Sequence, residues 1–342
     1  MLCYFISQKD FSLLNCVEVN SYSVGHDLDL GGKSKIVIAC NPKASADDFV
    51  VLKDGKDIKL KGIIEKIDNI QGENMHTISC LEIERIFDRK IFLADTEIIK
   101  ETGIEDFVAA TIRKYFSQSG DAFIDMTYIN CRVLTHTKIN SKPIADDGIY
   151  NFKTYLGNIK QQYGIFLDFE FTKTALNIVI YKKEQTALNI DTTLTDIDTY
   201  KETYEVKALS KLNVKWFNTL TEKESLRTFY LHTNRTISEV DERRVDGIVS
   251  SFYSATETEE EMIEAVTNEF RNNSYSHLVE ANIFANSKLY PLNELYVGHE
   301  VTIKTAAGVK ESIISGISFS DDADLVLVKF GNLKVTLTDK LK

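Results

Sequence analysis

Proline is scarce: 342 residues carry only Pro42, Pro143 and Pro291, so no Pro-rich linker separates parts of the chain. Long apolar runs are missing too. Nothing approaches the roughly 18 residues that span a bilayer as a helix, and no membrane anchor is expected. The N-terminal stretch MLCYFISQKDFSLLN has neither a cationic start nor a long apolar core, so no signal peptide is expected. Cysteine is limited to Cys3, Cys16, Cys40, Cys80 and Cys131, with no C-x-x-C pair. An odd number, set mostly inside apolar runs such as IVIAC and HTISC, reads as reduced, buried thiols rather than a disulfide framework. Basic charge is also in deficit. Lys and Arg total 40 against 51 Asp and Glu, a net charge of −11. Affinity for phosphate backbones comes from Lys and Arg, so this balance argues against a nucleic-acid reader. It leaves open a surface past which nucleic acid slides without sticking.

One stretch invites a nucleotide. In DLDLGGKSKIVIAC, Gly32-Lys33-Ser34 matches the tail of a phosphate-binding loop. The full pattern needs a glycine where Asp27 stands, and a helix after the loop to help hold the anion. KIVIAC reads as a strand instead, and the expected structure is a Gly-Gly turn between strands. Other candidates for chemistry are equally thin. His26-Asp27-x-Asp29 and Asp321-Asp322-Ala323-Asp324 lack calcium-loop spacing and read as turn residues. The six histidines are dispersed, without an H-E-x-x-H pair. Cys131 and His136, five apart in a strand-like segment, would face opposite sides. Trp216, the only tryptophan, reads as core. No catalytic, cofactor-binding or metal-ligating residue is assigned, and no cofactor is expected.

What is abundant is strand pattern. Residues 1–95 alternate or run apolar over five to ten residues between turns at Gly31-Gly32, Asn41-Pro42, Asp54-Gly55 and Gln71-Gly72, the signature of an antiparallel barrel or sandwich. The pattern then turns helical. Thr102-x-x-Glu105 reads as a capping box before a stripe of Ile104, Phe107, Val108, Ile112, Tyr115 and Phe116. A second helix is predicted from Asn151 as N-cap, through Phe152, Tyr155, Leu156, Ile159 and Tyr163, to Gly164. A hairpin turning at Lys173-Thr174 follows, so 96–190 is predicted as an α/β layer. Strands resume from about 200, interrupted by a helix over 257–272. Thr256-x-x-Glu259 would cap it, and Met262, Ile263, Val266 and Phe270 would form its apolar stripe. LKVTLTDKLK closes the chain as a strand. FVVLKDGKDIKLKGIIEKI (49–67) and VTIKTAAGVKESIISGISF (301–319) echo each other, each with a glycine turn followed by a Gly-Ile pair, Gly62-Ile63 or Gly316-Ile317.

Several stretches carry a resemblance. They are LKGIIEKIDNIQGENMHTISCLEIERIFDRKIFL (60–93), GIYNFKTYLGNIKQQYGIFLDFEF (148–171) and YKETYEVKALSKLNVKW (200–216). The C-terminal half adds SYSHLVEANIFANSKLYPLNELYVGHEVTIKT (274–305), SIISGIS (312–318) and VKFGNLKVTLTDKLK (328–342). Over nearly its whole length the sequence resembles the baseplate or tail-tip hub proteins of tailed bacteriophages, including the hub-like N-terminal region of tail-associated lysins. The resemblance implies an α+β, mainly β fold: two tail-tube-like antiparallel β-barrels joined by an α/β domain and a small helix-containing insertion. The expected division is 1–95 as the first barrel, 96–190 as the α/β domain, 191–235 with 295–342 as the second barrel, and 236–294 as the insertion. It implies a non-enzymatic hub, a homotrimeric ring continuing the tail tube at the virion tail tip, assembled in the host cytoplasm. Its partners would be a distal tail protein or the tube, the tape-measure protein, and fibre or receptor-binding components, with DNA passing unbound. Because the last strand pattern reaches Lys342, no peptidoglycan-degrading domain is expected. The rival expectations are a cell-wall hydrolase among unmotified carboxylates, and a carbohydrate-binding module using Trp216.

Overall fold

Period-two alternation becomes seven strands in the first eighty residues. They are β1 (Leu2–Ile6), β2 (Leu13–Glu18), β3 (Ser21–Asp27), β4 (Lys33–Ile38), β5 (Phe49–Asp54), β6 (Asp57–Asn69) and β7 (His76–Glu82). The structure, a computed structural model, describes residues 1–69, 75–92, 98, 102–139, 149–203, 208–232, 236–245, 247–256, 258–272, 277–321 and 323–331. The Gln71-Gly72 turn, Glu257, Asp322 and the closing LKVTLTDKLK lie outside the described residues. No helix among those described is long and apolar enough to cross a membrane.

Next come β8 (Lys90–Phe92), α1 (Ile104–Ile112), β9 (Ile129–Val133), β10 (Ile149–Asn151), α2 (Phe152–Tyr163), β11 (Ile165–Phe171), β12 (Leu176–Lys182), β13 (Leu188–Asp191) and β14 (Ile197–Thr203). The remainder is β15 (Leu209–Asn218), β16 (Lys223–Leu231), β17 (Ile237–Ser238), β18 (Ile248–Thr256), α3 (Glu259–Asn272), β19 (Leu278–Phe284), β20 (Glu300–Thr305), β21 (Gly308–Ser320) and β22 (Leu325–Gly331). The protein is α+β and mainly β. Among the described residues it divides into two compact units, Met1–Thr199 with Ala281–Val328, and Tyr200–Glu280 with 329–331; the boundaries fall within β14, β19 and β22.

In the first unit the large sheet runs β14-β19-β22-β21-β3-β4-β7-β6-β5-β1-β2, with β20 on β21 and β13 on β20, and it ends open at β2 among the described residues. The two echoing segments occupy comparable places in it. Both are hairpins, β5 with β6 and β20 with β21, and in both the second strand is 13 residues long. Each long strand changes partner near its Gly-Ile pair. β6 leaves β5 for β7 at Gly62-Ile63, while β21 leaves β20 after Ile313 and meets β3 at Gly316. At Gly62 a Cβ would sit 2.7 Å from the Leu81 carbonyl oxygen, so the crossing needs a glycine.

The helical layer packs on the sheet β11-β12-β9. α2 is bounded as its sequence requires: the Asn151 side chain accepts from Thr154 N at its start, and Gly164 ends it in the left-handed conformation at φ 65°. Phe152, Tyr155, Leu156, Ile159 and Tyr163 are all buried. Phe87, Phe116 and Phe152 meet edge-on or stacked at 5.0–5.7 Å, and each such side chain contributes roughly 1.5–3 kcal/mol by leaving water. The stripe of α1 is likewise buried, apart from half-buried Tyr115. Its capping box does not form. Gly103 is the N-cap without a side-chain bond, and buried Glu105 accepts instead from Thr135 Oγ1, Thr137 N and Thr137 Oγ1 at 2.9–3.1 Å. A long-range partner outcompetes the local one.

The second unit is the sheet β17-β16-β15-β18 with α3 on one face. Its capping box lies two residues beyond the expected place: Thr258 N donates to Glu261 Oε2 and Glu261 N to Thr258 Oγ1. Thr256 is otherwise engaged, accepting from Trp216 Nε1 at 2.9 Å. Met262, Val266 and Phe270 are buried, but Ile263 is 41% exposed and stands outside the stripe. The cysteines also depart from expectation in part. All five are free, yet only Cys3 and Cys80 are buried, while Cys16 within β2 and Cys40 just after β4 are exposed.

Candidate functional site

The glycine turn that invited a phosphate already holds an anion of its own. Glu82, buried at the end of β7, accepts from Gly32 N through Oε2 at 3.3 Å and from Asp27 N through Oε1 at 3.4 Å. The same Oε1 lies 3.3 Å from His26 Nδ1. Ser34 Oγ accepts from Gly25 N, Asp29 Oδ1 accepts from Gly31 N, and Lys33 reaches toward Glu65 on β6 at 3.8 Å. The amides that would cradle a phosphate are therefore spent on a side chain, and β4 follows where a helix would be needed. The turn is structural, as expected. Glu82 itself went unassigned in the sequence. Its signal was parity: Ile78 and Cys80, four and two residues earlier on β7, point into the core, and a carboxylate in phase with them must find partners.

Beside Glu82 opens a cleft of about 370 Å³ within the first unit. β6 contributes Lys61, the turn after β7 gives Glu84, α2 gives Lys160, β11 gives Phe166 and Asp168, and the segment before β20 gives Tyr296. Lys61 pairs with Asp168 at 2.8 Å. Lys183 stands 3.4 Å over the Tyr296 ring, and Phe166 meets Tyr296 edge-on at 5.9 Å. Burial lowers the Lys183 ammonium from its ordinary value. Burial first, and the Glu82 carboxylate second, raise Glu84, while Lys160 and His26 pull it back.

The sign of that shift gives a prediction. A carboxyl raised in the folded state binds more protons folded than unfolded, so stability falls as pH rises from the unfolded value near 4.3 through the folded one. Glu84→Gln should raise the melting temperature at pH 7 and flatten that fall. An unchanged or steeper pH dependence in thermal melts would contradict it.

The remaining candidates are dispersed. His136 Nδ1 bonds Asp106 Oδ2 at 2.6 Å rather than approaching Cys131, whose thiol burial pushes up to about 11. Asp321 Oδ1 accepts from Tyr22 N, a turn contact. His232 bonds Val240 O and His299 bonds Thr186 O, each at 2.8 Å. Among the described residues no three His, Cys, Asp or Glu side chains cluster as metal ligands. Trp216 packs against the α3 core, as expected.

No family model matches the sequence, and no curated protein matches it. Solved structures do. A tail protein from Neisseria meningitidis MC58 is similar at 9% identity with a TM-score of 0.56, covering 98% of each chain. Prophage tail protein gp18 from Listeria monocytogenes EGD-e is similar at 10% identity and 0.56, over 100% of this chain and 97% of its own. The chain has the fold of prophage tail proteins. A third tail protein, of 43 kDa from prophage MuSo2 of Shewanella oneidensis, is similar at 14% identity and 0.54, again over 98% of each chain. On this tail-protein fold the Glu82 turn and the lysine-aromatic cleft both lie within the first unit, among side chains that mostly satisfy one another.

Proposed function

We propose that this chain is the structural hub of a phage or prophage tail tip, a homotrimeric ring that continues the tail tube and links it to distal components. The observation that carries the reading is fold similarity over essentially the whole length, 98–100% of this chain, to three tail proteins. The matched hairpins β5–β6 and β20–β21 support two related barrels, one on 1–95 and one on 191–235 with 295–342, so that three copies present six similar units to a six-fold tube. The α/β domain of 96–190 and the helix-containing insertion of 236–294 would complete the expected division. Distal tail protein or tube, tape-measure protein and fibre or receptor-binding components are the partners this position requires. The net charge of −11 suits a conduit that DNA passes without binding. No enzymatic step is assigned. With Trp216 half-buried against the α3 core and its Nε1 bonded to Thr256, little of the indole is left as a carbohydrate platform.

Quantitative mass spectrometry of tails purified from an induced lysogen tests the proposal. The expected result is this chain at three copies per tail. Its absence from tails, or a single copy, would contradict the hub reading.

A further inference from the structure

On the sheet face turned away from α3, the rows of side chains across β16, β15 and β18 alternate in length. Tyr230–Lys211–Val249 is one row, Thr228–Asn213–Ser251 the next, and Leu226–Lys215–Tyr253 the third. The short row and the third row together line a transverse trough of about 510 Å³. Its wall is uncovered: Leu226 is 83% exposed and Tyr253 more than half, as is Val249 in the row beyond. The outer strand, β18, pairs only with β15 among the described residues. Its nine residues, IVSSFYSAT, include no charge and no proline. Proteins blunt such edges with lysine, proline or bulges when they are to stay unpartnered; β18 carries neither lysine nor proline, and the one irregularity in its ladder with β15 lies at its start, between Leu209 and Lys211. Large exposed apolar side chains gathered beside a bare edge mark an interaction surface.

The same chain carries a knob of matching form. Phe123 is fully exposed, at the tip of a turn that holds it firmly. Asp125 accepts from Ser119 N, Ser119 Oγ and Gly120 N at 2.6–2.9 Å. Asp121 Oδ1 accepts from Phe123 N at 2.9 Å, and Met126 N donates to Phe116 O at 2.8 Å. Ile124, beside it, is also exposed. Carboxylates thus stand two residues to either side of Phe123. Lys215 lines the trough and Lys211 stands just outside it, each two residues from Asn213 in the low row. Lys215 also meets Glu224 at 2.9 Å, while Lys211 lies 5.7 Å from the Tyr230 ring.

We infer that the Phe123–Ile124 turn of one copy seats in the β16–β15–β18 trough of a second copy. The apolar tip would displace water from Leu226 and Tyr253, while Asp121 and Asp125 face Lys211 and Lys215. Knob and trough are built from different residues, so the contact is heterologous, and such a contact makes a ring where the rotation between copies closes. The inference rests on the three-copy reading and names the surface that makes it. A buried aromatic anchor flanked by charge is the composition of an interface hot spot.

The purified full chain at tens of micromolar, followed by sedimentation equilibrium, tests it. Phe123→Asp and Leu226→Asp should each weaken self-association about tenfold or more. Both sites are exposed, so circular dichroism and melting should not change. An equimolar mixture of the two variants should form a dimer and nothing larger, because one retains its trough and the other its knob. Raised salt should weaken association of the unaltered chain. If the unaltered chain assembles but both variants assemble as well, or if the mixture stays monomeric, the ring survives and this contact is wrong. If the unaltered chain stays monomeric, the trough takes something other than a second copy and the inference fails. The hub reading is judged separately, by the chain's presence in purified tails.

Discussion

Replacing Phe270 with alanine should lower the stability of the second unit by about 3–5 kcal/mol. The ring is fully buried on the inner face of α3, packed with Met262 and Val266 against Leu209, Leu212, Val214 and Phe229 of the sheet. Truncation loses the transfer free energy of the ring and leaves a cavity that β15 and β18, each fixed by a nine- or ten-residue strand, are poorly placed to close. Trp216 packs against the same cluster and is the only tryptophan, so its fluorescence in urea reports this unit. Ile263→Ala, two turns earlier on the exposed side, is the control and should stay within about 0.5 kcal/mol. A Phe270→Ala effect as small as the control's would mean that α3 does not pack as described.

Glu82→Ala should cost about 2–4 kcal/mol, from leaving Gly32 N and Asp27 N without their acceptor at roughly 1–3 kcal/mol each. The bonds are somewhat long, at 3.3 and 3.4 Å, which favours the lower half of the combined range. Hydrogen exchange adds a local readout: the Gly32 amide should lose protection in the variant before the amides of β4 do. A variant with unchanged stability and a still-protected Gly32 amide would show that the turn does not depend on the carboxylate.

These two residues mark how far the sequence could be read. Phe270, Val266 and Met262 declare their face by helical spacing, and α2 declares both its ends through Asn151 and Gly164, because period and caps are written within a few residues. The hairpin β11–β12 was legible for the same reason: Ile165, Leu167, Phe169 and Phe171 alternate and pair in register with Lys182, Ile180, Ile178 and Leu176. What failed was settled by distant partners. Glu105 fits a capping box three residues from Thr102, yet it is taken by Thr135 and Thr137, thirty and more residues on. Glu82 meets Gly32 across fifty residues, and only its parity on β7 hinted at burial. Thr256 matched a cap motif, but the indole of Trp216 claims its hydroxyl and the cap moves to Thr258. The Gly-Ile echo was visible as text. Its physical reason, a long strand changing partners where Leu81 approaches Gly62, needed the sheet.

In the proposed three-copy conduit, charge follows from the copy number. Three chains would gather three times the net charge of −11 around one axis, and a passing polyanion would be repelled by the wall. Subunit contacts of a permanent ring should each bury on the order of 2,000 Å² or more. A structure of the assembled tail tip tests this most directly. The account predicts three copies of this chain around the tail axis, with a lumen lined mainly by aspartate and glutamate. A single peripheral copy, or a ring lined mainly by lysine and arginine, would contradict it.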